Sequence, residues 1–149
     1  SKSLDEDDTN PMLQLIKTHK GADYTQDAYF LMINYYRFKN DSINESTFFR
    51  ELADSFNTDP SILNQYAWRM TELGMNLNDA LNKSNKAIAL SFDNTSLQTY
   101  IIDTKAEILW MLGRIDEAIS TIDLAIDINP NDEYLIEQRN KFSNFNEKE

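Results

Sequence analysis

The segment Leu112-Gly113-Arg114-Ile115-Asp116-Glu117-Ala118-Ile119 decides how this chain folds. Ahead of it, Ile102, Lys105, Ala106, Leu109 and Leu112 recur at helical spacing. Behind it, Ala118, Ile119, Ile122, Ala125 and Ile126 form a second stripe, at i, i+1, i+4, i+7 and i+8. Gly113 stands between the two stripes, and glycine takes the left-handed backbone that ends a helix and turns the chain. Asp116-Glu117 then falls in the first turn of the next helix, where the macrodipole favours acids. One sharp turn between two amphipathic helices is therefore expected, with Ala106 and Ala118 small enough to let the axes approach.

The same arrangement occurs upstream. Leu63, Tyr66, Ala67, Met70 and Leu73 form a face that ends in Leu73-Gly74, and Ala80, Leu81, Ser84, Ala87 and Ile88 repeat the second stripe. Phe48, Phe49, Leu52, Ser55 and Phe56 carry that stripe once more. A stripe that recurs three times marks an internal repeat. Further back, Ala28, Leu31, Met32, Tyr35 and Phe38 recur at helical spacing from Thr25 on, with Phe30, Ile33 and Tyr36 making the other faces apolar. Asn10-Pro11 opens a short helix before it, with Gly21 as its stop.

Ala106-x6-Gly113-x4-Ala118-x6-Ala125-x4-Pro130 resembles a tetratricopeptide repeat: small residue, glycine turn, two small residues, proline. Ala67-x6-Gly74-x5-Ala80-x6-Ala87 resembles a second copy with one extra residue in its turn, and Phe48–Pro60 resembles the second helix of a degenerate third. The resemblance implies an all-α fold, a TPR-like α-α superhelix of antiparallel helix pairs. Residues 1–10 read as a disordered acidic tail or linker, and 11–149 as one repeat domain. Within that domain a degenerate repeat spans 25–58, repeats follow at 60–91 and 95–129, and a capping helix covers about 131–143. Ala67 and Ala106 stand about five residues further apart than the family's 34-residue period. The excess, mostly in Ser91–Gln98, is expected to lengthen the following helix or loosen the junction before it. Lys105 stands where the family usually has leucine.

Composition narrows the function. A net charge of −11 opposes nucleic acid and anionic membranes, and favours a basic or neutral partner. There is no cysteine and a single histidine, His19, so thiolate chemistry is absent and no catalytic triad, metal site or cofactor is expected. Asp5-Glu6-Asp7-Asp8 lacks the spaced ligands of a calcium loop. Asp123 and Asp127 read as solvated acids. The three glycines are too dispersed to cradle a phosphate. No apolar run reaches membrane-spanning length. The opening Ser1-Lys2-Ser3 reads as a fragment or a processed product, which leaves the compartment open, and the oligomeric state is not legible.

The resemblance also implies where a partner would bind. First helices of repeat pairs line the concave side, and once their packing positions are removed, Asn64, Gln65, Trp68, Tyr100, Asp103, Thr104, Glu107 and Trp110 remain. Aromatic area beside amide and carboxyl tips suits a polypeptide groove, although Trp68 and Trp110 packed on neighbouring helices is an equal reading. The family's clamp for C-terminal carboxylates needs cations that Asp103 and Glu107 do not supply. The expected function is a non-catalytic protein-binding or scaffold module. The alternative is a helical appendage of a larger enzyme, thioredoxin-like bacterial proteins included, that docks a neighbouring domain or positions its substrate.

Overall fold

The computed structural model describes residues 6–19 and 22–147, and among these it is all-helical, with eight α-helices and no strand. The chain divides into two compact units, Ser1–Asn57 and Thr58–Glu149.

The first unit holds α1 (Glu6–Thr18), α2 (Asp23–Phe38) and α3 (Ser42–Ser55). α1 begins at Glu6, within the stretch expected to be a tail, so Pro11 lies inside the helix instead of opening it. Residues 1–5 and the stop expected at Gly21 lie outside the described residues. The buried face of α2 is Ala28, Tyr29, Met32 and Ile33, whereas Leu31 and Phe38 are exposed. Two rows four residues apart, 28/32 and 29/33, replace the single expected stripe, because α2 packs against both α1 and α3. Phe30 meets Phe49 edge-on and Tyr36 stacks on Phe48, joining α2 to α3. Asp41 caps α3 by accepting from the Asn44 N–H at 3.1 Å.

The second unit holds α4 (Pro60–Leu73), α5 (Leu77–Leu90), α6 (Thr95–Met111), α7 (Ile115–Ile128) and α8 (Glu133–Glu147). α4 packs on α5, α5 on α6, α6 on α7 and α7 on α8. Ala67, Ala80, Ala106 and Ala118 are wholly buried, as their close-approach role requires. Both glycine turns form as expected. Gly74 (φ 65°) and Gly113 (φ 78°) are left-handed, and the N–H groups of Met75 and Arg114 close back on the carbonyls of Met70 and Leu109. The extra residue in the α4–α5 turn is absorbed at Asn76, whose own left-handed backbone (φ 52°) precedes α5.

The excess spacing lengthens α6 to 17 residues against 14 for α4. The junction before it is tied: Asn94 caps α6 through the Leu97 N–H, and Gln98 Nε2 donates to the Ile88 carbonyl at 3.1 Å. Asp132 caps α8 from the residue before it, its Oδ1 accepting from the N–H groups of Tyr134 and Leu135, and α8 packs back on α6 and α7. It turns Leu135, Gln138 and Phe142 inward, at helical spacing. Among the described residues, no helix is long and apolar enough to cross a membrane.

Candidate functional site

α4 and α6 are the first helices of their pairs, and one face of each is left free of α5 and α7. Asn64 and Trp68 lie one turn apart on α4, and Tyr100, Asp103 and Thr104 lie within about one turn on α6. Together with Tyr134 of α8 these five residues line a cleft of about 280 Å³. A recess of about 130 Å³ adjoins it and shares Tyr100, Asp103 and Tyr134. Tyr100 is 69% exposed and forms an open aromatic wall. Trp68 is half-buried. Asn64 Oδ1 is buried and meets no hydrogen-bond donor among the described residues. A buried acceptor without a donor costs about 1–3 kcal/mol, so this amide is poised to receive one.

The sequence-predicted set therefore separates. Asn64, Trp68, Tyr100, Asp103 and Thr104 come together in the cleft. Gln65 is exposed and reaches back to Ser61 Oγ along its own helix. Glu107 is expected on an open concave face, and Trp110 either there or packed on a neighbouring helix; α8 lies over both, so Glu107 departs from the expectation and Trp110 takes the packed alternative. Glu107 is 9% exposed, and its carboxylate accepts from Gln138 Nε2 at 3.0 Å and from Lys141 Nζ at 2.9 and 2.7 Å. Trp110 packs on Phe142, and Lys141 Nζ lies 4.5 Å from the centroid of a Trp110 ring. The physical reason is plain: two acids on a largely apolar helix require compensation, and the polar side of α8 supplies it. These two residues hold the scaffold of the cleft.

Asp103 belongs to both settings. It is 5% exposed, and its Oδ1 accepts from Gln138 Nε2 at 2.9 Å. Burial, with neighbouring Glu107 adding to it, raises its pKa above the ordinary carboxylate range, while hydrogen bonds from Gln138 and Tyr134 and the charge of Lys141 oppose the rise. The Tyr134 hydroxyl is itself pushed far up, by burial first and by the charge of Asp103 next. It stays protonated and is a donor at neutral pH.

Tyr134 also lines the cleft, although the sequence marks α8 only as a cap. The available signal was the spacing of Leu135, Gln138 and Phe142, which marks an inward face and brings the start of the helix beside α6. Elsewhere, His19 lies exposed on the surface as expected. Asp123 is not merely solvated: it accepts from Arg139 Nε at 2.6 Å. Among the described residues no group of three His, Cys, Asp or Glu side chains is placed to hold a metal ion. Comparison with protein-family models, with curated proteins and with solved structures finds no match.

Proposed function

We propose that this chain is a non-catalytic interaction module built on tetratricopeptide-type helix pairs, and that it holds a basic or neutral polypeptide segment in the α4–α6–α8 cleft. The observation that carries the reading is the lining of that cleft. The exposed ring of Tyr100 and the half-buried Trp68 stand beside an unpaired amide oxygen at Asn64. Aromatics supply buried area at low entropic cost, and a lone acceptor fixes the register of an incoming N–H. The glycine turns and wholly buried alanines support the repeat type, and the net charge of −11 supports a basic over an acidic partner.

The test is an array of varied short peptides probed with wild type, Tyr100→Ala and Trp68→Ala, with circular dichroism of each protein alongside. Peptides that bind wild type are expected to lose about tenfold or more in affinity on either variant, as central aromatic anchors do, with helicity retained. Equal binding by all three proteins would remove the cleft from consideration.

A further inference from the structure

We propose that the cleft is a receptor for a single guanidinium group: an arginine side chain of the bound segment enters between Trp68, Tyr100 and Tyr134 and pairs with Asp103 and Asn64. This rests on the interaction reading above and names its specificity element.

The first support is a charge count. Two carboxylates, Asp103 and Glu107, lie buried side by side under α8. One ammonium reaches them, and it is committed to Glu107, since Lys141 Nζ contacts both oxygens of that carboxylate. The bridging group between the two acids is Gln138, a neutral amide. Asp103 thus lines the cleft with neutral donors only, and no Lys or Arg is among the lining residues. Asp132, which lines the adjoining recess, adds negative charge. A buried negative charge without its own cation is costly, and an incoming cation relieves that cost.

The second support is the shape and chemistry of the walls. Three aromatic residues surround the acid, and a cation placed against aromatic faces gains more when partly desolvated. The cleft, at about 280 Å³, lies at the lower edge of the ~300–1,000 Å³ of small-molecule sites and has room for one long side chain. Within that space the acceptors are separate: a carboxylate on α6 and an unpaired amide oxygen on α4. A planar guanidinium carries five N–H donors in a rigid fork and stacks on aromatic rings, so it can meet both acceptors while lying against a wall. An ammonium is a point charge with a strong hydration shell and fits this lining less well. An apolar side chain would leave the Asn64 oxygen unpaired and the Asp103 charge without a cation, and a carboxylate would be repelled.

The probe is the peptide acetyl-Gly-Gly-Arg-Gly-Gly-amide, compared with versions in which lysine, citrulline or leucine replaces arginine. Binding is followed by NMR at the Asn64 side-chain amide and the Trp68 indole. The arginine peptide is expected to saturate both signals. Citrulline, which keeps the shape and loses the charge, is expected to bind at least tenfold more weakly, lysine in between, and leucine not at all. Asp103→Asn keeps an acceptor for Gln138 and is expected to bring arginine down to the citrulline level. Tyr100→Ala removes an exposed ring, leaves the melting temperature unchanged, and is expected to weaken arginine binding about fivefold. Equal affinity for arginine and citrulline overturns the assignment, as does the absence of saturable shifts at Asn64 and Trp68. If array peptides without arginine bind in a Tyr100-dependent way while the arginine probe does not, the guanidinium assignment falls and the interaction reading stands. If neither binds, both fall.

Discussion

Lys141 Nζ sits 2.9 Å from Oε1 and 2.7 Å from Oε2 of Glu107, across 34 residues of sequence. The pair fastens α8 to α6 at the point where α6 is most polar. The Glu107 side chain is 12% exposed and the Lys141 side chain 40%, so the interaction is only partly shielded from solvent. Lys141→Ala would leave a buried carboxylate with Gln138 as its remaining partner. Allowing for screening at the lysine end, a loss of about 1–2 kcal/mol is expected. Urea unfolding of Lys141→Ala, Glu107→Gln and the double variant measures it. A coupling near zero in that cycle would show that the two residues do not depend on each other.

Asp103 gives the unit an acid-side dependence of known sign. Its folded-state pKa is raised, chiefly by burial, so the native protein binds that proton more tightly than the unfolded chain does. Stability from this group is therefore lowest above its folded pKa and recovers as pH falls through that value toward its ordinary 3.8. Glu107, Tyr134, Gln138 and Lys141 face the same carboxyl, and Asp103→Asn leaves all four in place. The stability of the variant minus that of wild type is expected to be most positive at neutral pH and to shrink toward weak acid. Thermal unfolding of both proteins across that range tests it, and a pH-independent difference would refute the sign.

Ala118 and Asp123 lie on one helix and predict opposite sensitivities. Ala118 is wholly buried against the preceding helix, so Ala118→Phe forces the α6–α7 contact apart at a cost of about 1–3 kcal/mol or more. Asp123 is paired with Arg139, but both side chains are more than 40% exposed, which limits Asp123→Ala to about 0.2–1 kcal/mol. Melting temperatures of the two variants decide the matter. Equal shifts would mean that the register of α7 is misplaced.

The helix pairs were legible because their signals are local. Gly74 and Gly113 announce turns whatever surrounds them, and the stripes at Ala80–Ala87 and Ala118–Ala125 repeat within one or two turns of helix. α2 was only half legible. Its faces are apolar on several sides, and periodicity alone does not say that α1 and α3 take Tyr29 and Ile33 and leave Leu31 and Phe38 exposed. Five members of the candidate site followed from knowing which helix of each pair faces inward. Glu107, Trp110 and Tyr134 did not, because their surroundings depend on contacts between α6 and α8, 31 to 34 residues apart. Acids four apart at Asp103 and Glu107, on so apolar a helix, were the clue that a distant partner was needed.

The length of that reach bears on how the second unit assembles. α4 with α5, and α6 with α7, are neighbours joined by short turns, so their contacts close small loops at little entropic cost. The bonds from Gln138 and Lys141 to α6 close a loop more than twice as long as the spacing between the paired alanines Ala106 and Ala118. Until they form, Asp103 and Glu107 remain hydrated. The carboxylates are then expected to slow premature collapse, because the α6 face keeps its water until Gln138 and Lys141 arrive. Gln138 and Lys141 are thus expected to make α8 the late-docking element, with Lys141→Ala raising the unfolding rate and leaving the folding rate unchanged.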